Sequence, residues 1–268
     1  MNFVYPQSLL DSALPDEMFQ DEATALSQNG HGISLIDSER LASRTAKLRP
    51  AVQSGVTVVY RGWMLSPTEY ENLESSITAA GAVPLTAKDK YLATHYLPNW
   101  YSAISDLTPE TVVLPLDVDW EAELSKLGWE GFFVKDYVKS LKTSVGSLIK
   151  RPEDIRIVAA EMEKYRGTIE GGLCVRRVED FVRETERRYF VIYGQPYSAD
   201  RADTIPEIVH DCASRINSKF FSVDVVCRTD GNLRVVEIGD GQVSDLVGWP
   251  VERFVEIWTE LVGPNDIS

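Results

Sequence analysis

The chain is short of the residues that hydrolytic, redox and zinc chemistry usually recruit. Only three histidines occur among its 268 residues, His31, His95 and His210. None stands where a Ser–His–Asp or Cys–His set would need it, so catalysis through a protein nucleophile has little footing. The three cysteines, Cys174, Cys212 and Cys227, form no close pair. That pattern points to free thiols in a reducing compartment rather than a disulfide framework. No apolar run is long enough to span a bilayer, and the opening Met-Asn-Phe-Val-Tyr-Pro has no basic stretch followed by an apolar one. The expectation is a soluble, cytoplasmic protein without a membrane partner. Positive charge is also scarce. Lys plus Arg total 27 against 41 Asp plus Glu, a formal charge of -14. Such a field repels nucleic acid and anionic membranes. Internal repeats and low-complexity tracts are absent, and no free linker stands out.

What remains is ordinary globular material, 44% hydrophobic and 25% charged. Phe3-Val4-Tyr5 reads as a short first strand, and residues 7–32 as loop and partial helix. Thr57-Val58-Val59-Tyr60 is a clearer strand ending at Arg61-Gly62. Ser66-Pro67-Thr68-Glu69 then supplies an N-cap, a first-turn proline and a capping-box glutamate. Tyr70, Leu73 and Ile77 follow at helical spacing, and Gly81 and Pro84 end the helix. Thr111–Leu114 is the next strand. Further strands are expected at Phe132–Lys135, Leu173–Val178 and Arg188–Tyr193. Helices are expected over Ile155–Tyr165, Ile205–Asn217 and Pro250–Leu261. The coarse division is an amino-terminal α/β region, 1–125, and a second α/β region, 126–268, dominated by antiparallel strands.

The chemistry-bearing residues concentrate in the second region. Phe220–Val226 and Leu233–Asp240 read as a hairpin across Thr229-Asp230-Gly231-Asn232, with Asp224 on one strand and Glu237 on the other. Alternation places Leu233, Val235 and Glu237 on one face. If the register aligns the two acids, a hard divalent cation relieves their repulsion, and magnesium accepts such oxygen ligands while leaving room for phosphate. Asp240, between Gly239 and Gly241, could bend back as a third ligand or serve only as a turn acid. Gln242 and Ser244 are weaker candidates on the same rim. Lys135 follows an apolar run and is costly to bury unpaired, and a phosphate is its natural partner. Lys139 and Lys142 lie in a Lys-, Ser- and Gly-rich stretch that could close over phosphates. Arg188 could grip a transferring phosphoryl group bidentately, or pair with Glu186 or another carboxylate. Arg61, at the carboxyl end of a strand, could bind a substrate carboxylate or phosphate, or tie the turn through a salt bridge. The aromatic run His95–Tyr101 could wall an acceptor pocket or fill core. Asp117 and Asp119, read as one strand face, could attract a cationic amine or form a solvated edge.

Taken in order, Phe132-Phe133-Val134-Lys135, Val175-Arg176-Arg177-Val178, Glu186 with Arg188, Ser222–Val225 and Val236–Gly241 resemble the ATP-grasp superfamily over residues 130–246. Tyr60–Leu65 resembles the leading domain of its small members. The resemblance implies an α/β (α+β) ATP-grasp fold. Two subdomains with antiparallel sheets would clasp ATP, preceded by a small α/β region. It implies Lys135 and Lys139 on phosphates and Val175, Arg176, Arg177 and Val178 as an adenine-binding hinge. Glu186 would be a further nucleotide contact, and Asp224, Glu237 and Asp240 would hold Mg2+. Arg188, Lys142 and Arg61 would serve catalysis. Many members carry an asparagine where this chain has Gly239. The usual first lysine also has no counterpart beyond the distant Lys88 and Lys90. The activity implied is ligation of a small-molecule or peptide carboxylate to an amine through an acyl phosphate, releasing ADP and phosphate. Alternatives are an ATP-dependent phosphotransferase and a non-catalytic nucleotide- or peptide-binding module. A homo-oligomer is compatible with the sequence.

Overall fold

The computed structural model describes residues 1–138 and 146–262. Strand β1 (Asn2–Pro6) is buried along its whole length. Phe3 and Tyr5 enter one core and Val4 another, so both faces of this strand are covered. That is the environment of a central parallel strand. Helix α1 (Gln20–Gln28) leads to β2 (Gly32–Ile36), and α2 (Ser38–Ala42) precedes β3 (Thr57–Tyr60). Helix α3 (Pro67–Ala79) leads to β4 (Val83–Pro84). These strands form a parallel sheet in the order β2-β1-β3-β4. The capping box forms as the sequence predicts: the Glu69 N–H donates to Ser66 Oγ at 3.3 Å and the Ser66 N–H donates back to the Glu69 carboxylate at 2.8 Å. Strand β2 goes beyond the sequence expectation. Its short apolar run after a glycine carries too little alternation to declare itself.

Helices α4 (Lys88–His95) and α5 (Leu97–Tyr101) carry the chain to β5 (Thr111–Leu114). After α6 (Trp120–Ser125) come β6 (Phe132–Asp136), β7 (Leu148–Ile149), α7 (Ile155–Arg166) and β8 (Leu173–Arg177). These strands make an antiparallel sheet, β5-β8-β6-β7. Strand pairing crosses the expected division at residue 125. β5 pairs with β8, and Leu124 of α6 enters the core beneath that sheet. Residues 111–125 belong structurally with the second region. Asp117 and Asp119 do not share a strand face, since Asp119 is the N-cap of α6.

The last sheet is built from β9 (Phe181–Ile192), β10 (Gln195–Tyr197), β11 (Phe220–Arg228) and β12 (Leu233–Asp240), in the order β10-β9-β11-β12. Helix α8 (Glu207–Arg215) covers one face through Val209 and Cys212. Helix α9 (Val251–Val262) runs back to the amino-terminal sheet, where Trp258 packs edge-on against Phe3 and Phe220. Burying each such aromatic is worth about 1.5–3 kcal/mol, so this shared core holds the two regions together. The run around His95 also fills core. Tyr91 stacks on Tyr70 and His95, and Trp100 is buried. Among the described residues, no helix is long and apolar enough to cross a membrane.

Candidate functional site

The expected hairpin forms, and its register places Asp224 directly opposite Glu237. It does so through a β-bulge. Asp224 pairs with Glu237 but Val225 pairs with Val235, leaving Val236 as the extra residue. The bulge corrects the simple alternation, which put Val235 and Glu237 on one face. Val235 turns into the core with Val225 and Ile238, and Glu237 turns out beside Asp224. On the other side of β11, Arg188 of β9 is the register partner of Asp224. The three side chains thus lie across three adjacent strands.

Lys135 reaches this surface from β6 of the neighbouring sheet. Its Nζ lies 2.6 Å from Glu237 Oε1. Arg188 grips Asp224 with a fork, Nε to Oδ1 at 2.8 Å and Nη2 to Oδ2 at 2.7 Å, while Nη1 donates to the Asp245 carbonyl at 2.8 Å. Lys135 is 4% exposed and Asp224 5%. The Glu237 side chain is 40% exposed, so the quartet is open to solvent on that side. Burial pushes the Asp224 carboxyl above the usual carboxylate range. Arg188 opposes that shift and the Glu237 charge adds to it. Burial acts upward on Glu237 too, but Lys135, Arg176 and Arg188 outweigh it and hold that carboxyl below the usual range.

Several expected site residues sit elsewhere. Asp240 does not join the carboxylates. β12 continues through it, so it points away from Glu237, is fully buried, and accepts hydrogen bonds from Thr94 and Gln242. Desolvation lifts its pKa to about 7. The glycines on either side therefore make no return turn toward Asp224 and Glu237. Gln242 and Ser244 are buried rather than on the rim, Gln242 bonding Tyr70 and Ser244 bonding Ser222. Arg61 turns inward. It is buried against Glu22 at 2.7 Å, which is the salt-bridge alternative.

The segment expected to act as a hinge is also committed. β8 is a central strand, with Val175 and Arg176 paired to both β5 and β6. The Arg177 N–H donates to Glu110 O and the Val178 N–H to Gly131 O. Val175 points into the core, and Arg177 lies exposed near Glu110. These amides are not open to adenine in this conformation. Arg176 instead spans the two sheets, donating to the Val236 carbonyl and to Thr108 Oγ1. Burial lowers its pKa to about 10, and its Nε has no hydrogen-bond partner among the described residues. A cleft of about 660 Å3 opens beside the end of β8, between Arg177, Val178, Glu179 and Arg234, without touching the quartet. Glu186 is exposed and lies two residues before Arg188 on β9. Lys139 and Lys142 lie outside the described residues.

The donor set fits one hard divalent cation. Two carboxylates on adjacent strands supply oxygen ligands, and magnesium completes its shell with water and phosphate. Among the described residues no group of three or more His, Cys, Asp or Glu side chains gathers as a metal site. At Gly239, a side chain would meet Ser222 Oγ and Ser244 Oγ at 2.9 Å. The asparagine of other members would have to displace that serine pair. Sequence reasoning missed Arg176 as a tether between sheets and the Asp245 carbonyl as a support for Arg188. A backbone acceptor leaves no sequence signal, and an arginine in an apolar strand gives a weak one.

A family model described as an ATP-grasp domain, family 3 of its clade, matches residues 126–261. Solved structures align along nearly the whole chain. ATP-grasp ligase PsnB, complexed with precursor peptide PsnA2 and AMPPNP, shows a TM-score of 0.61 at 12% identity, over 98% of this chain and 97% of its own. Macrocyclase MdnC, bound with precursor peptide MdnA from Microcystis aeruginosa, gives 0.61 at 12%, over 97% and 100%. D-alanyl-alanine synthetase A from Vibrio cholerae gives 0.61 at 12%, over 100% and 98%. At such identities the likeness establishes the fold. No curated protein matches the sequence significantly.

Proposed function

The chain belongs to the ATP-grasp superfamily, and from that premise we propose that it is an ATP-dependent ligase joining a carboxylate to an amine. The observation that carries the reading is the quartet of Lys135, Arg188, Asp224 and Glu237, in which two sheets bring alternating charges together. In this arrangement each cation occupies the place of a metal for one carboxylate, and each carboxylate stands in for a phosphate. Ligand entry is then an exchange of partners that leaves no charge unpaired. Lys135 passes from Glu237 to a phosphate oxygen. Arg188 turns its fork from Asp224 to the transferring phosphoryl group, a planar match that lysine would not offer. Asp224 and Glu237 are released to hold the cation.

Bound magnesium supplies positive charge against the phosphate oxygens during transfer. The substrate carboxylate attacks the γ-phosphorus, the bond to ADP breaks, and an acyl phosphate forms. The amine then attacks the acyl carbon, the bond from that carbon to the phosphate oxygen breaks, and inorganic phosphate leaves with the proton that the amine gives up. The side chains neutralise the charge that develops during transfer. The precursor peptides bound to PsnB and MdnC support a peptide as one class of substrate for this chain.

The test is magnesium-dependent ADP release across a panel of carboxylates and amines, peptides included, with mass analysis of products. An amide together with ADP and phosphate is expected. A durable phosphorylated product would make the protein a phosphotransferase, and nucleotide binding without turnover would make it a binding module.

A further inference from the structure

Arg61 follows the last residue of β3 and turns inward, where it is 1% exposed. Its Nε and Nη2 donate to the two oxygens of Glu22, each at 2.7 Å. Nη1 donates to the carbonyls of Gly241 at 2.5 Å and Ser244 at 2.9 Å. The Tyr5 hydroxyl donates to Glu22 Oε1 at 2.8 Å, holding the carboxylate from behind. Two neighbouring bonds repeat the attachment. The Gly62 N–H donates to Gln242 O at 3.1 Å, and the Tyr60 N–H to Gln242 Oε1 at 3.2 Å. Residues 241–244 therefore hang from the carboxyl end of β3. The next carbonyl in the chain, that of Asp245, accepts the third hydrogen bond of Arg188. The fork onto Asp224 holds two of the guanidinium nitrogens, and the Asp245 carbonyl holds the third.

We propose that Arg61 and Glu22 are positioning residues for Arg188. They fix the Gly241–Asp245 segment, and the carbonyl at its end holds the Arg188 guanidinium in the orientation that meets a transferring phosphoryl group. The inference rests on the role given to Arg188 above. When Arg188 leaves Asp224 for a phosphate, the Asp245 carbonyl is the contact that stays. The buried pair in the amino-terminal sheet thereby sets an angle in a site that it does not touch.

Two substitutions loosen the clamp by degrees. Arg61→Lys keeps the charge beside Glu22 but cannot reach both carbonyls, and Tyr5→Phe removes one hydroxyl while keeping the buried ring. The first readout is the Arg188 Nε–H resonance of the ligand-free protein, which requires no turnover. Both variants should shift it and speed its exchange with water, Arg61→Lys more than Tyr5→Phe. The second readout is ATP turnover. Arg61→Lys should lower kcat roughly tenfold to a hundredfold, the scale set by small misplacements of reacting groups, with the KM for ATP unchanged. That loss should disappear in an Arg188→Lys background, because both changes act through one contact. A purely structural role would lower the melting temperature and leave kcat and the Arg188 signal as they were. An unmoved Arg188 resonance, or losses that simply add in the double variant, would overturn the proposal. Absence of turnover in the parent protein would sink the ligase reading alone, because the resonance still reports the link.

Discussion

By distance, the amino-terminal sheet and the paired antiparallel sheets hold the same contact. Arg61 meets Glu22 at 2.7 Å and Lys135 meets Glu237 at 2.6 Å. Their surroundings differ. The Arg61 and Glu22 side chains are 2% and 6% exposed, whereas Lys135 is 5% exposed and Glu237 40%. A pair sealed on both sides cannot change partners without moving the fold. A pair open on the carboxylate side can accept a new cation there and free its lysine. Access rather than contact distance separates a structural ion pair from one available to a ligand. The same difference explains why Arg61, placed like a ligand-binding residue at a strand end, does other work.

Substitutions in the two regions test this contrast. The largest effect is expected at the sealed pair. Arg61→Met leaves Glu22 as an uncompensated buried charge, which costs roughly 3–5 kcal/mol, read as a lower urea midpoint. A midpoint equal to that of the parent would remove the contrast. Next comes Glu237→Gln, which keeps the shape of the open carboxylate and removes its charge. Magnesium-dependent turnover should fall by roughly a hundredfold to a thousandfold, comparable to losing one preorganised charge contact, while the melting curve moves little. A folded variant with parental turnover would show that the open pair is not the metal site. Lys135→Ala should weaken ATP binding by roughly 1.5–3 kcal/mol, about tenfold to a hundredfold in Kd by titration calorimetry.

A test that reads pH rather than turnover concerns Asp240, buried where the two regions join. Its carboxyl is raised from 3.8 to about 7 in the folded protein. The unfolded chain therefore ionises first as pH rises. The neutral form's advantage is fully present below about pH 4, is lost progressively toward pH 7, and changes no further above that. Asp240→Asn should flatten this part of the stability curve in melts at stepped pH. An unchanged slope would mean that other groups set it.

Much of the fold is legible in the sequence. β1, β3, β6 and β11 announce themselves as apolar runs, and α3 through its capping box, because local patterns encode local elements. The site is legible in part. Lys135, Arg188, Asp224 and Glu237 stand out for their chemistry on apolar strands, and the structure brings all four together. The errors share a cause. Asp240 reads as part of a glycine turn, yet strand pairing carries β12 through it. Arg61 reads as a strand-end ligand group, where nothing indicates that Glu22 would come to meet it. The hinge reads as open backbone, although sheet pairing claims it.

The sequence by itself determined which segments become strands and helices, and which acids and bases sit on them. Those choices follow from side-chain periodicity and backbone preference over a few residues. Tertiary structure decided how the charges pair, because partners such as Lys135 and Glu237 are brought together only by sheets that cross far along the chain. It also decided which pairs water can reach. Burial depends on what packs above a residue, and no stretch of neighbours encodes that.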